Sequence, residues 1–302
     1  LNDFSKGDLI MRKVLLATTA LVAMSVTAAQ ADISISGNYE WEYTTNDAGT
    51  SWGDDGHINI TATNAAENGL TFTAVSVITN SADNVTGAAH AAGFGAVEAA
   101  YIQVDGDFGT LILGDYDDSM ATTMDGALGN NNDIETEVSL GSASTTIGIG
   151  AKADIMWKSP NMSGFQIGLS KDLTDADSST TDGKTDMIVS YSMGGISGHY
   201  AATDDESNFG IKGSVAGFTI AAGQMKEDGT SVKANDLAVK YTLGNGITVA
   251  ALTANGTDSS GTKVKASNFG ASYSIVPGVK LGVESGKLDA ANYTWIGVNM
   301  SF

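Results

Sequence analysis

The sequence predicts an all-β chain, a sixteen-stranded antiparallel transmembrane β-barrel, and three observations carry that prediction. Apolar and polar residues alternate with period 2 along most of the chain, the mark of strands with two unlike faces. The connections alternate between short turns bearing Gly or Asn and mostly longer polar loops, the pattern of an outer-membrane barrel. No segment beyond residue 31 holds the ~20 apolar residues a membrane helix requires.

Composition narrows the classes. The chain has 302 residues, 37 Gly, 2 Pro, no Cys and a formal net charge of −20. Without cysteine, disulfides and thiolate metal sites are excluded. The acidity argues against nucleic acid as a partner, because phosphate neutralisation needs clustered Lys and Arg. Glycine well above the usual ~7% and proline well below ~5% suit extended segments joined by tight turns. A hydrophobic content of 42% is too high for an acidic disordered chain.

The chain reads in three parts. Residues 1–10 read as sequence upstream of a start methionine, Met11. Residues 11–31 read as a secretory signal: Arg12 and Lys13 open it, Val14–Val26 form its apolar stretch, and Ala29-Gln30-Ala31 is a small-residue cleavage site. A membrane span is the competing reading, but 13 residues are too short to cross. Residues 32–302 are then the barrel. They carry all twelve lysines left after processing and no arginine.

The strands follow in order. Asp32–Tyr43 shows the alternation best, with Ile33, Ile35, Tyr39, Trp41 and Tyr43 against Ser34, Ser36, Asn38, Glu40 and Glu42. Thr146–Lys158 repeats it, with Ile147, Ile149, Ala151, Ala153, Ile155 and Trp157 on the apolar row. Such segments fall at 32–44, 55–64, 70–79, 95–105, 108–116, 146–158, 164–173 and 184–193 in the first half. The second half supplies 196–203, 208–216, 218–226, 233–243, 247–254, 264–276, 279–287 and 292–302. Short turns such as Asn68-Gly69, Gly194-Gly195 and Pro277-Gly278 use residues that tolerate positive φ. Longer loops are expected at 45–54, 80–94, 117–145 and 174–183, with 117–145 the longest. A soluble sandwich also alternates, but here the polar rows are too rich in Gly, Ser and Thr for a packed core. In a barrel the apolar row meets lipid and the polar row meets a lumen.

Ile296, Val298, Met300 and Phe302 alternate to a terminal aromatic. With Met11–Ala23 (MRKVLLATTALVA), Ser36-Gly37 and Phe108-Gly109-Thr110-Leu111-Ile112-Leu113-Gly114-Asp115, the chain resembles the general diffusion porins of Gram-negative bacteria, in their alphaproteobacterial, Rhodobacter-type form. The resemblance implies an outer-membrane homotrimer whose long third loop folds into each lumen and narrows it. It also implies passage of ions and small hydrophilic solutes, contact with outer-membrane lipid and lipopolysaccharide, and delivery to barrel-assembly machinery through the carboxyl-terminal strand.

The third loop and its approach supply the constriction candidates Asp115, Asp117, Asp118, Asp125, Asp133, Glu135 and Glu137. In the family such acids face basic wall residues, usually arginines. Here only lysines serve, and the polar-row candidates are Lys152, Lys158, Lys212, Lys240 and Lys280; each reads equally as a solvated lumen lysine. A pore lined by carboxylates favours cations. Met120, Met124 and Leu128, spaced i, i+4, i+8, read as an apolar stripe fixing a short loop helix to the wall.

Other chemistries are weakly supported. Asp175, Asp177, Ser179 and Asp186 partly echo a calcium loop, but lack its central glycine and terminal glutamate. Asp204-Asp205-Glu206 reads as a solvated charge run, loosely binding divalent ions at most. No resident cofactor is expected. A barrel hydrolase would need a nucleophile beside a base; only His57, His90 and His199 offer imidazole, and there is no Gly-x-Ser-x-Gly. Gly93-Phe94-Gly95 lacks the third glycine and following helix of a dinucleotide loop. An acidic secreted surface protein shares the composition but not the alternating turn lengths.

Overall fold

The structure, a computed structural model, describes residues 31–82, 96–116, 118–124, 153–173, 183–289 and 291–302. Sixteen strands are present among them. The first eight are β1 (Asp32–Asn46), β2 (Gly49–Ala65), β3 (Thr71–Ala82), β4 (Ala96–Gly106), β5 (Gly109–Tyr116), β6 (Ala153–Lys158), β7 (Phe165–Lys171) and β8 (Thr185–Met193). The remainder are β9 (Ile196–Ala202), β10 (Glu206–Val215), β11 (Phe218–Glu227), β12 (Lys233–Thr242), β13 (Ile247–Thr257), β14 (Lys263–Val276), β15 (Val279–Leu288) and β16 (Ala291–Ser301). Each pairs antiparallel with its sequence neighbours, and β16 pairs with β1, so the sheet closes. Closure leaves no unpaired edge, which is what lets a sheet stand in hydrocarbon. No helix among the described residues is long and apolar enough to cross a membrane.

The seam is made by the two ends of the barrel segment. Phe302 and Gly37 exchange backbone hydrogen bonds, each 3.0 Å. The Phe302 ring lies over Gly37, where an added Cβ would come within 2.8 Å of it. Two of the residues that suggested the family, Gly37 and Phe302, therefore meet in space.

The two predicted rows separate as expected. Ile33 and Ile35 are 67% and 65% exposed, and Phe269, Phe209 and Leu237 stand out in the same way. So many large exposed apolar side chains make a lipid-facing wall. Toward the short-turn end Phe165 packs on Tyr191 and Phe218 on Tyr241, with centroids 4.5 Å apart in both pairs, an aromatic girdle of the kind placed at membrane interfaces.

Residues 45–54 correct the sequence reading. They were expected to form a long loop, yet β1 and β2 run through them and leave only Asp47-Ala48 as the turn. Asn46 Oδ1 accepts the N–H groups of Ala48 and Gly49, and the ladder continues from Asn46↔Gly49 downward. Polarity suggested a loop there, but backbone pairing is indifferent to polar side chains above the membrane. Residues 146–152 of the expected sixth strand lie outside the described residues.

Candidate functional site

The candidate site is the barrel lumen, built from the inward rows. After β5 the chain turns inward. A single-turn helix, α1 (Met120–Met124), packs against β6, β7 and β8 on their lumen side. Gly168 makes room for it: a Cβ there would lie 2.6 Å from Met124 Sδ and 3.0 Å from Met120 Cβ. Met120, Ala121, Met156, Ile188 and Ile112 form the buried cluster beneath it. Ala153, expected on the outer row, is buried in this cluster instead, beside a shift of the β5–β6 register between Leu113 and Tyr116. A buried polar bond completes the attachment. Met120 N–H donates to Ser170 Oγ at 2.9 Å, and Ser170 donates in turn to Asp186. The expected Met120–Met124 stripe therefore meets the wall; Leu128 lies outside the described residues.

On the opposite side the lumen wall carries its own side chains. Trp295 is 3% exposed and Tyr293 7%. Trp295 lies flat over Gly297 and Gly282, where added Cβ atoms would come within 2.1 and 2.7 Å of its ring. Tyr293 covers Gly286 in the same way, at 2.7 Å. Their polar atoms are engaged: Trp295 Nε1 donates to Glu42 Oε2 at 3.0 Å, Tyr293 donates to Glu284, and Asn268 Nδ2 reaches the same Glu284 oxygen at 3.1 Å.

A family model described as Gram-negative porin matches residues 17–300. The chain belongs to the Gram-negative porin family. Among solved structures, a mutant of the Rh. blastica porin is 22% identical with a TM-score of 0.72, covering 90% of this chain and 100% of that one. Salmonella typhi OmpF, in complex with daunomycin, is 12% identical at the same TM-score, covering 92% of this chain and 100% of the other. At these identities the likeness is one of fold. No curated protein matches in sequence. As a porin the chain is a multi-pass barrel of the outer membrane, and family and fold alike indicate a channel rather than an enzyme.

In this porin the charged lumen residues sort by height. Register puts Lys158, Lys212, Lys240 and Lys280 on inward rows, each within three residues of the short-turn end of its strand. The inward carboxylates of Asp186, Asp236 and Glu284 stand five to seven residues from those ends. Glu40 and Asp55 pair across β1 and β2, and Glu42 lies two residues beyond Glu40 on the same row. Asp105 is the inward acid near a short turn, bound by Gln103 and Thr110 at 2.7 Å each. Asp115 pairs with Ala100 beside the kink at Gly114, whose φ of 123° suits only glycine. Asp118 is exposed just before α1.

The other expected positions, Asp117, Asp125, Asp133, Glu135, Glu137 and Lys152, lie outside the described residues, as do Asp175, Asp177 and Ser179. Asp186, grouped with the calcium pattern, is buried under α1 instead. Among the described residues no three His, Asp or Glu side chains gather as a metal site. Asp205 forms an ion pair with Lys184 at 3.2 Å. Burial opposes its ionisation, but hydrogen bonds from Lys184 and Thr203 outweigh that and hold the carboxyl below its usual range.

Sequence reasoning missed the aromatic–glycine contacts and the Ser170–Asp186 bond. Glycines at 168, 282, 286 and 297, all in register with inward rows, were the available signal.

Proposed function

We propose that this porin forms a water-filled channel for passive diffusion of ions and small hydrophilic solutes, with a weak preference for cations. The observation that carries this reading is the charge along the inward rows. Glu40, Glu42, Asp55, Asp236 and Glu284 lie on the inward rows, whereas Lys158, Lys212, Lys240 and Lys280 stand near one end. Carboxylates in a narrow low-dielectric wall raise the local cation concentration. The loop acids Asp117, Asp118, Asp125, Asp133, Glu135 and Glu137 add to that potential in the same reading.

The reading extends to maturation and assembly. Residues 11–31 direct export and are removed, and the barrel works as a homotrimer assembled through the β16 motif ending at Phe302. Purified protein in a planar bilayer tests these points. The expected result is conductance in steps of three, with a reversal potential in a salt gradient shifted toward that of the cation. Anion selectivity would overturn the electrostatic reading, single steps the trimer, and absence of conductance the channel.

A further inference from the structure

Between α1 and the short turns, the inward rows of β7–β10 form a recess of about 270 Å³. Register sets its side chains in two lines. Gln166, Ser190 and His199 stand side by side across β7, β8 and β9, and Gly210 continues that line without a side chain. One step nearer the short turns, Ser192, Ser197 and Lys212 form the second line. Met124, seated on Gly168, borders the recess toward the loops. Two of the polar groups are already held. Asn208 Oδ1 accepts a hydrogen bond from His199 Nε2 at 2.9 Å, and His199 is 6% exposed. The Gln166 amide donates to the Ser159 carbonyl at 3.3 Å. Neither group must be ordered afresh when a solute arrives, which lowers the cost of binding.

We propose that this recess binds a small hydroxylated carboxylate, a hydroxy acid of three or four carbons, on its way through the lumen. The inference deepens the channel reading above and rests on it. Charge supports the carboxylate. In a chain of net charge −20, no Asp or Glu is among the described residues lining the recess, and Lys212 brings an ammonium group to it. Asp186, two lines farther toward the loops, is held under α1 by Ser170. The neighbouring groups suit hydroxyls, because serine both donates and accepts and the Gln166 side-chain oxygen accepts. Size agrees. Lines two residues apart along a strand lie about 7 Å apart. A short hydroxy acid spans that distance with a hydrogen bond at each end, its carboxylate at Lys212 and Ser197 and its hydroxyls at Ser190 and Gln166. The recess is a little smaller than the ~300 Å³ at which small-molecule sites begin. Weak binding follows, as passage requires of a solute that must also leave.

Three matched probes test this: glycerate carries both features, glycerol only hydroxyls, and propionate only the carboxylate. Titration calorimetry of the folded, purified porin is expected to show glycerate binding more tightly than either of the others. In a planar bilayer, glycerate should add current noise that the other two do not. Lys212→Gln should weaken glycerate binding about tenfold or more, and Ser197→Ala about fivefold. Lys280→Gln, which changes an inward lysine of β15 outside the recess, should keep it. Heat-shifted migration on gels establishes that each variant is folded. Equal binding of glycerate and glycerol, or of glycerate and propionate, would overturn the proposal. So would an equal loss in Lys212→Gln and Lys280→Gln, which would make the binding a property of overall lumen charge. A porin that conducts plain salt but neither binds glycerate nor gains noise from it overturns the recess assignment alone. Absence of conductance in plain salt overturns the channel reading instead. If Lys212→Gln does not fold, the three probes on the wild type still decide.

Discussion

The two sides of the lumen are filled by opposite means. Over β6–β8 a piece of connecting chain, α1, comes inward and sets two methionines on Gly168. Over β14–β16 no added segment is needed, because Trp295 and Tyr293 lie back on Gly282, Gly286 and Gly297 of their own wall. In both places an inward glycine is the receiving surface. On one side it admits a visitor; on the other it lets a large ring lie flat and leave the bore clear. Inward glycines here do spatial work, separate from the positive-φ work of glycines in the turns.

That contrast gives opposite outcomes for the same kind of change, and these are the largest effects expected. Gly168→Leu overfills the contact under Met120 and Met124, costing about 1–3 kcal/mol, and should release α1 from the wall. Single-channel conductance should rise and become noisier. Gly297→Leu overfills the seat of Trp295 by a similar amount, and should swing the indole into the bore and lower conductance. If both variants move conductance in the same direction, the comparison fails.

A smaller effect is expected from Ser170→Ala. It strips the Met120 N–H of its acceptor and Asp186 of its donor in a buried place, a loss of about 1–3 kcal/mol. Because apolar contacts to Gly168 and Ile188 remain, conductance noise should increase without a change in mean conductance. The smallest effect belongs to Trp295→Phe, which keeps the ring over its glycines and removes only the bond to Glu42, about 1 kcal/mol. The temperature of heat-modified gel migration should fall slightly and conductance should not change; a large change in conductance would mean that the indole, and not the glycine seat, sets the bore.

Much of the fold was legible because membrane strands must obey period 2. Ile33, Ile35, Trp41 and Tyr43 face lipid while Glu40 and Glu42 face the lumen, as alternation required. The first hairpin misled for a physical reason: Thr45, Asn46, Thr50 and Ser51 stand above the apolar band, where polarity no longer reports on strand or loop. The site was legible by row and not by height. Lys158, Lys212, Lys240 and Lys280 are on inward rows as read, yet they cluster near the short turns, away from the level of Glu284 and Asp236.

By itself the sequence determined strand number, the two faces of most strands, the short turns at one end and the strand that closes the barrel. These depend on neighbours in the chain, through alternation and turn chemistry. Only the tertiary structure decided which glycine sits under which ring, that Ser170 and Asp186 stand beneath Met120, and that Gln166, Ser190, His199 and Lys212 from four strands line one recess. Those relations join residues across the ladder, where closure and the stagger of neighbouring strands decide what meets.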